Sequence, residues 1–98
     1  MRFYYSDLFK EKVQLLHPEV KTALKNKLEL MDQNPKHPSL RTKKIKGSSD
    51  IYEASITMNY RMTWQYYQGG ILLRNIGEHD KTLKNPNPNI HLRYNNVS

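Results

Sequence analysis

"YRMTWQYYQGGILLRNIG", residues 60–77, decides the fold. In its first half Met62, Trp64 and Tyr66 alternate with Arg61, Thr63 and Gln65, the period-two pattern of a strand with one apolar side and one chemically equipped side. Gly69-Gly70 follows as a tight hairpin turn, since glycine accepts positive φ at no steric cost, and "ILLRNIG" returns as the last strand. Just upstream, "IYEASIT" at 51–57 sets Tyr52, Ala54 and Ile56 against Ile51, Glu53, Ser55 and Thr57. The centre of the chain therefore predicts an antiparallel sheet with one face to bury, with Trp64 and Tyr66 in the core.

What buries that face lies toward the N-terminus. "RFYY" at 2–5 reads as a short strand, and Ser6 with Asp7 offers an N-cap for an amphipathic helix carrying Leu8, Val13, Leu15 and Leu16. Pro18 suits a first helical position, so a second helix runs from there to about Gln33, with Val20, Ala23, Leu24, Leu28 and Met31 spaced for one face. Asn34-Pro35 stops it. Residues 37–50 are basic and rich in turn formers, a connecting loop. The expected fold is α+β: an N-terminal strand and a two-helix hairpin packed on one face of a small, mostly antiparallel, four-stranded sheet. Residues 1–86 form one domain, and 87–98 a tail, flexible or ordered by a partner, in which Ile90, Leu92 and Tyr94 alternate as for an edge strand.

Ninety-eight residues hold one modest core. There is no cysteine, hence no disulfide framework, thiol nucleophile or thiolate metal site. No run approaches the roughly 20 apolar residues of a membrane span and no leader pattern is present, so the chain reads as soluble and cytoplasmic. The net charge is +7, and Lys36, Arg41, Lys43, Lys44 and Lys46 fall within eleven residues that contain no acid. Such a run suits a solvated loop, a phosphate-contacting patch or an acidic protein partner.

The four histidines, His17, His37, His79 and His91, show no metal-ligand spacing, so no metal or other cofactor is expected. No glycine-rich loop precedes a helix to cradle a nucleotide, and no Gly-x-Ser-x-Gly elbow marks a nucleophile. His17 and His91 read as surface residues.

The order of elements, with "HPSLRTKKIKG" at 37–47, "YEASITMNYRMTW" at 52–64 and "LLRNIGEHDKTL" at 72–83, resembles the RelE/ParE superfamily of toxins from type II toxin–antitoxin systems. Within it the similarity is greatest to RelE-like and YafQ-like messenger-RNA interferases. The resemblance covers Arg2 to Pro86 and implies a toxin that enters the ribosomal A site, cuts the message by attack of a ribose 2′-hydroxyl on the adjacent phosphate without a metal, and so stops translation. It implies a cognate antitoxin as partner, assembled with the toxin on operator DNA. Chemistry of this kind needs a base, an acid and cations for the phosphorane. By resemblance the catalytic candidates are Arg61, His79, Lys46 and His37, and the RNA-binding candidates are Arg41, Lys43, Lys44 and Tyr60. An imidazole titrating near pH ~6.5 can give or take a proton at neutral pH. The Asp-Trp pair of YafQ-like members is here Asn59-Tyr60, and the aromatic that often ends the last motif is Leu83. A ParE-like inhibitor of DNA gyrase, or an inactive member that only binds nucleic acid or antitoxin, are the competing readings.

Register sets a condition on the site. With Gly69-Gly70 as an ideal two-residue turn, His79 pairs with Tyr60 and faces away from Arg61. One extra residue in the last strand reverses the parity, so the strand is expected to be bulged or finished near Gly77.

Overall fold

The computed structural model describes residues 1–79. Along the chain run β1 (Phe3–Tyr5), α1 (Asp7–Gln14), α2 (Pro18–Gln33), a 3-10 turn at Pro38–Leu40, β2 (Lys43–Lys44), β3 (Tyr52–Ser55), β4 (Tyr60–Tyr67) and β5 (Gly70–Glu78). The strands form one sheet in the order β1-β5-β4-β3-β2. β1 runs parallel to β5 and the other neighbours are antiparallel. The α+β class is as expected, but the sheet is five-stranded and mixed, not four-stranded. The additional strand is β2, two lysines inside the basic segment read as loop, too short to show any alternation. It pairs Lys43 with Glu53 and Lys44 with Tyr52. Its link to β3 closes where the Ile45 amide donates to Ile51 O at 2.8 Å, and Gly47 turns the chain at φ 85°.

Both helices begin at side-chain caps. Ser6 Oγ accepts from the Phe9 amide at 3.0 Å, and His17 caps α2 ahead of Pro18. α1 buries Phe9, which the stripe read from the sequence passed over, while Leu15 lies beyond the helix end and is 85% exposed. α2 buries Val20, Leu24 and Met31 against the sheet, with Ala23 and Leu28 partly buried beside them. The facing residues are Ala54, Met62, Trp64, Ile71, Leu73 and Ile76 of the strands and Ile56 just after β3, all essentially inaccessible. This core removes most of the large apolar side chains from water, the main force holding a domain this small together. Tyr66, expected in it, is half exposed, packing edge-on to Trp64 and Tyr52 past the reach of the helices.

The β4–β5 hairpin differs from the expected one at both ends. The turn residues are Gln68 and Gly69, at φ 46° and 76°, and Tyr67 pairs with Gly70. Both central residues at positive φ match the primed turns that suit hairpin twist. Gly70 is needed for a different reason: a Cβ there would lie 2.1 Å from the Arg2 carbonyl oxygen, which accepts from the Ile71 amide as β1 docks. Further along, Trp64 pairs with Leu73 but Thr63 pairs with Asn75, so Arg74 is one residue extra in β5. The expected bulge is present, three residues ahead of Gly77. Ser6 anchors it: its amide donates to Leu73 O at 3.0 Å and its buried hydroxyl donates to Arg74 O at 2.6 Å.

Tail residues 87–98, with the alternating Ile90, Leu92 and Tyr94, and the end of the last motif at Leu83, lie outside the described residues, as does His91. Among the described residues no helix is long and apolar enough to cross a membrane, and no three His, Cys, Asp or Glu side chains are grouped to hold a metal.

Candidate active site

Beyond the bulge, β4 and β5 pair in a new register: Arg61 faces Gly77, and the His79 amide donates to Asn59 O at 2.7 Å. Residues 59, 61, 77 and 79 therefore share one side of the sheet, opposite the helices. β3 adds Glu53 and Ser55 on that side through the pairs Glu53–Thr63 and Ser55–Arg61. β2 sets Lys43 opposite Glu53, and Arg41, ending the 3-10 turn in the left-handed region at φ 50°, completes the wall. Arg41, Lys43, Glu53, Ser55, Arg61 and His79 line a cavity of about 260 Å³.

Arg61 is held rather than free to swing. Its Nη1 donates to the carbonyls of Thr57, Met58 and Tyr60 at 2.5, 3.0 and 3.0 Å, clamping the β3–β4 turn. Its Nε lies 3.7 Å from Glu53 Oε1. Nη2 is thus the guanidinium nitrogen with no partner among the described residues. Two further groups at the cavity are unpartnered although buried: Glu53 Oε2 and His79 Nδ1. Three cations, Arg41, Lys43 and Arg61, against the one carboxylate of Glu53 leave the cavity with net positive charge, and fields in such a partly desolvated space act more strongly than in water.

A second cavity of about 470 Å³ adjoins the first, with Arg41 and Lys43 common to both. Lys36, His37, Pro38, Thr42, Lys44 and Tyr52 line its remainder. His37 Nδ1 accepts from the Ser39 amide at 3.1 Å, capping the 3-10 turn. Its proton then sits on Nε2, so the neutral ring can donate a hydrogen bond but has no free acceptor nitrogen. The α2 helix is tied to the same segment where Lys27 Nζ donates to Ser39 O at 2.8 Å.

Arg61, His79, Arg41 and Lys43 therefore come together, while His37 and Lys44 stand in the adjoining cavity. Lys46 is exposed at the turn before Gly47 and walls neither cavity. Tyr60 pairs with Glu78 and packs against the core, on the opposite parity to Arg61. Glu53 stands in the sequence only as one of the residues alternating with Tyr52, Ala54 and Ile56, not as a site candidate. Its alternation with Ser55, on the side that also carries Arg61, is the signal that it reaches the same cavity.

A scan against protein-family models finds no match, and a search of the curated proteins likewise finds none. Solved structures do match. The RelB–RelE antitoxin–toxin complex from Methanococcus jannaschii aligns with a TM-score of 0.67 at 19% identity, over 83% of this chain and 94% of that one. YafQ from E. coli strain BL21(DE3) aligns at 0.68 and 15%, over 82% and 94%. The YoeB dimer from Staphylococcus aureus aligns at 0.66 and 16%, over 81% and 97%. The chain has a RelE-like toxin fold.

Proposed function

We propose that this protein is the toxin of a type II toxin–antitoxin pair, a ribosome-dependent endoribonuclease that cuts messenger RNA and so inhibits translation. The observation that carries the reading is the meeting of Arg61, His79, Arg41 and Lys43 in one cavity on the sheet face opposite the helices. A fold alone does not specify chemistry. That cavity supplies what transesterification at phosphorus needs: fixed positive charge where the phosphorane gains negative charge, and an imidazole able to move a proton.

In this reading the scissile phosphate sits between Arg61 Nη2 and the side chains of Arg41 and Lys43, and the ribose 2′-oxygen attacks it in line with the departing 5′-oxygen. Lys44 and His37, in the adjoining cavity, hold the next stretch of backbone, His37 through its Nε2 proton, and Lys46 extends the same basic track outward. Contacts of this kind position the strand without reading its sequence. Tyr60 flanks the site from the other side of β4. The reaction uses no metal or cofactor, and its setting is the cytoplasm, where ribosomes are. Matched toxins occur in antitoxin complexes, RelB with RelE and DinJ with YafQ. The corresponding partner here is an antitoxin with acidic contacts, joined with the toxin on operator DNA.

The test is purified protein added to programmed ribosomes, with message ends mapped and Arg61→Ala and His79→Ala in parallel. Cleavage by the wild type that falls at least 100-fold in both variants is the expected result. An intact message, together with arrest of gyrase supercoiling, would replace this reading with gyrase inhibition.

A further inference from the structure

Resting on the nuclease reading, we propose that the second cavity holds the message nucleotide beside the one that is cut, and that Tyr52 is the platform on which its base stacks. That cavity, of about 470 Å³, carries the cations Lys36, Arg41, Lys43 and Lys44 together with His37 and Tyr52, and its size is that of a small-ligand pocket. Among the described residues no carboxylate lines it. Cations alone would serve any anion. A phenol ring set among them adds a flat apolar surface, and a nucleotide is the ligand that brings a phosphate and a flat ring together.

Tyr52 is held as a fixed surface. Its ring stacks on the buried Trp64, with centroids 4.8 Å apart and planes at 26°. Tyr66 meets both rings edge-on, 6.0 Å from Tyr52 and 5.1 Å from Trp64. Tyr52 packs against the core on this side yet stays partly open to solvent. A ring already held in place loses little freedom when a base covers it, which favours binding. Lys44 of β2 pairs directly with Tyr52, so one nucleotide can present its phosphate to the lysine and its base to the ring.

The path between the two cavities follows from strand alternation. Arg41 and Lys43 wall both, so a strand whose scissile phosphate occupies the first continues into the second along one line of cations. Glu53 lines the first cavity and its neighbour Tyr52 the second, because successive β3 residues point to opposite sides of the sheet. The RNA therefore crosses the sheet edge at β2, and its next base arrives on the side that carries Tyr52 and Trp64. Every base has a π-face, so this contact tolerates any sequence. Its effect is to hold the backbone in line for cutting, and Tyr52 takes no part in proton transfer.

The experiment measures binding of a short fluorescent RNA oligomer at low salt by anisotropy, 2′-O-methylated throughout so that no 2′-hydroxyl can attack. A second oligomer of the same length and charge lacks its bases. Wild type is expected to bind the base-bearing oligomer about 5–150-fold more tightly than the abasic one. Tyr52→Leu should lose that margin, Tyr52→Phe should keep it, and Lys44→Ala should weaken both oligomers alike. Equal affinity of wild type for the two oligomers overturns the proposal, and this comparison carries the test if Tyr52→Leu does not fold. A folded Tyr52→Leu with the full margin overturns it as well. Co-sedimentation with ribosomes lacking a message identifies the source of the nucleotide: Tyr52→Leu should bind them as wild type does, and a loss there would overturn the assignment to the message in favour of ribosomal RNA. Message cutting on programmed ribosomes is read separately. Cutting by a wild type that shows no base margin removes this inference and leaves the nuclease reading standing. A base margin without cutting removes the nuclease reading, and with it the place beside the cut, and leaves an RNA site without chemistry.

Discussion

Arg61 and His79 line one cavity although a regular β4–β5 hairpin would turn them to opposite faces. The single extra residue, Arg74, reverses the alternation between Leu73 and Asn75, so that everything beyond it shows its other side. Ser6 holds this arrangement at one point, donating to Arg74 O and capping α1 with the same hydroxyl. Ser6→Ala should therefore remove a helix cap and leave a buried carbonyl unpaired. The expected loss is about 2–3 kcal/mol in urea unfolding, summing the usual cost of each. A loss below about 0.5 kcal/mol would show that Ser6 does not hold the bulge.

Much of this fold was legible, and the exceptions have physical causes. α2 and β4 run where their periodicities place them, because each is long enough for the pattern to repeat and each has one buried face. β2 was illegible because its pairing is backbone to backbone, between exposed lysines and a strand that starts nine residues on. The turn was misplaced by one residue because glycine has two uses. Gly69 supplies positive φ, while Gly70 lets the Arg2 carbonyl approach. The need for a bulge followed from parity alone, yet its place did not. Asn75 and Arg74 face the polar side, where nothing in the alternation marks which residue is extra. The site was half legible for the same reason: Arg61 and His79 carry recognisable chemistry, whereas Glu53 joins them only through the strand register.

The two central residues should separate when stability and cleavage are measured together. Arg61 ties the β3–β4 turn through three carbonyls, and lysine cannot reproduce that fork. Arg61→Lys is expected to lose cleavage and about 1–2 kcal/mol of stability, the scale of hydrogen bonds from a charged donor. His79→Ala should lose cleavage while stability changes by less than about 0.5 kcal/mol, since its Nδ1 is unpartnered among the described residues. Equal destabilisation by both variants would contradict this division.

His37 is the residue for which cap and chemistry can be told apart. Asparagine reproduces the acceptor that its Nδ1 presents to Ser39 but carries no imidazole. His37→Asn should leave the unfolding midpoint unchanged and slow message cleavage by less than tenfold, through loss of one donor to the backbone. His37→Ala should cost about 1 kcal/mol in addition. If His37→Asn slows cleavage as much as His79→Ala does, His37 handles a proton and the strand enters the cavities differently.

Arg74 offers a test through pH. Burial lowers its pKa from the ordinary guanidinium value to about 10, against the opposing pull of Asp50, and its Nη1 donates to Gln65 Oε1 at 2.7 Å. A cation with a folded-state pKa below its unfolded one weakens the folded state at every pH where both forms are charged. As pH rises through about 10 the folded protein releases the proton first, and the weakening fades as pH climbs further toward the unfolded chain's own pKa. Wild type should therefore gain roughly 1 kcal/mol relative to Arg74→Met between pH ~9 and ~10.5, with a constant difference from pH ~6 to ~9. Guanidinium unfolding of both proteins across that range measures it. A difference that stays constant throughout would mean that Arg74 keeps its proton in the fold, held by its neighbours as firmly as water holds it in the unfolded chain.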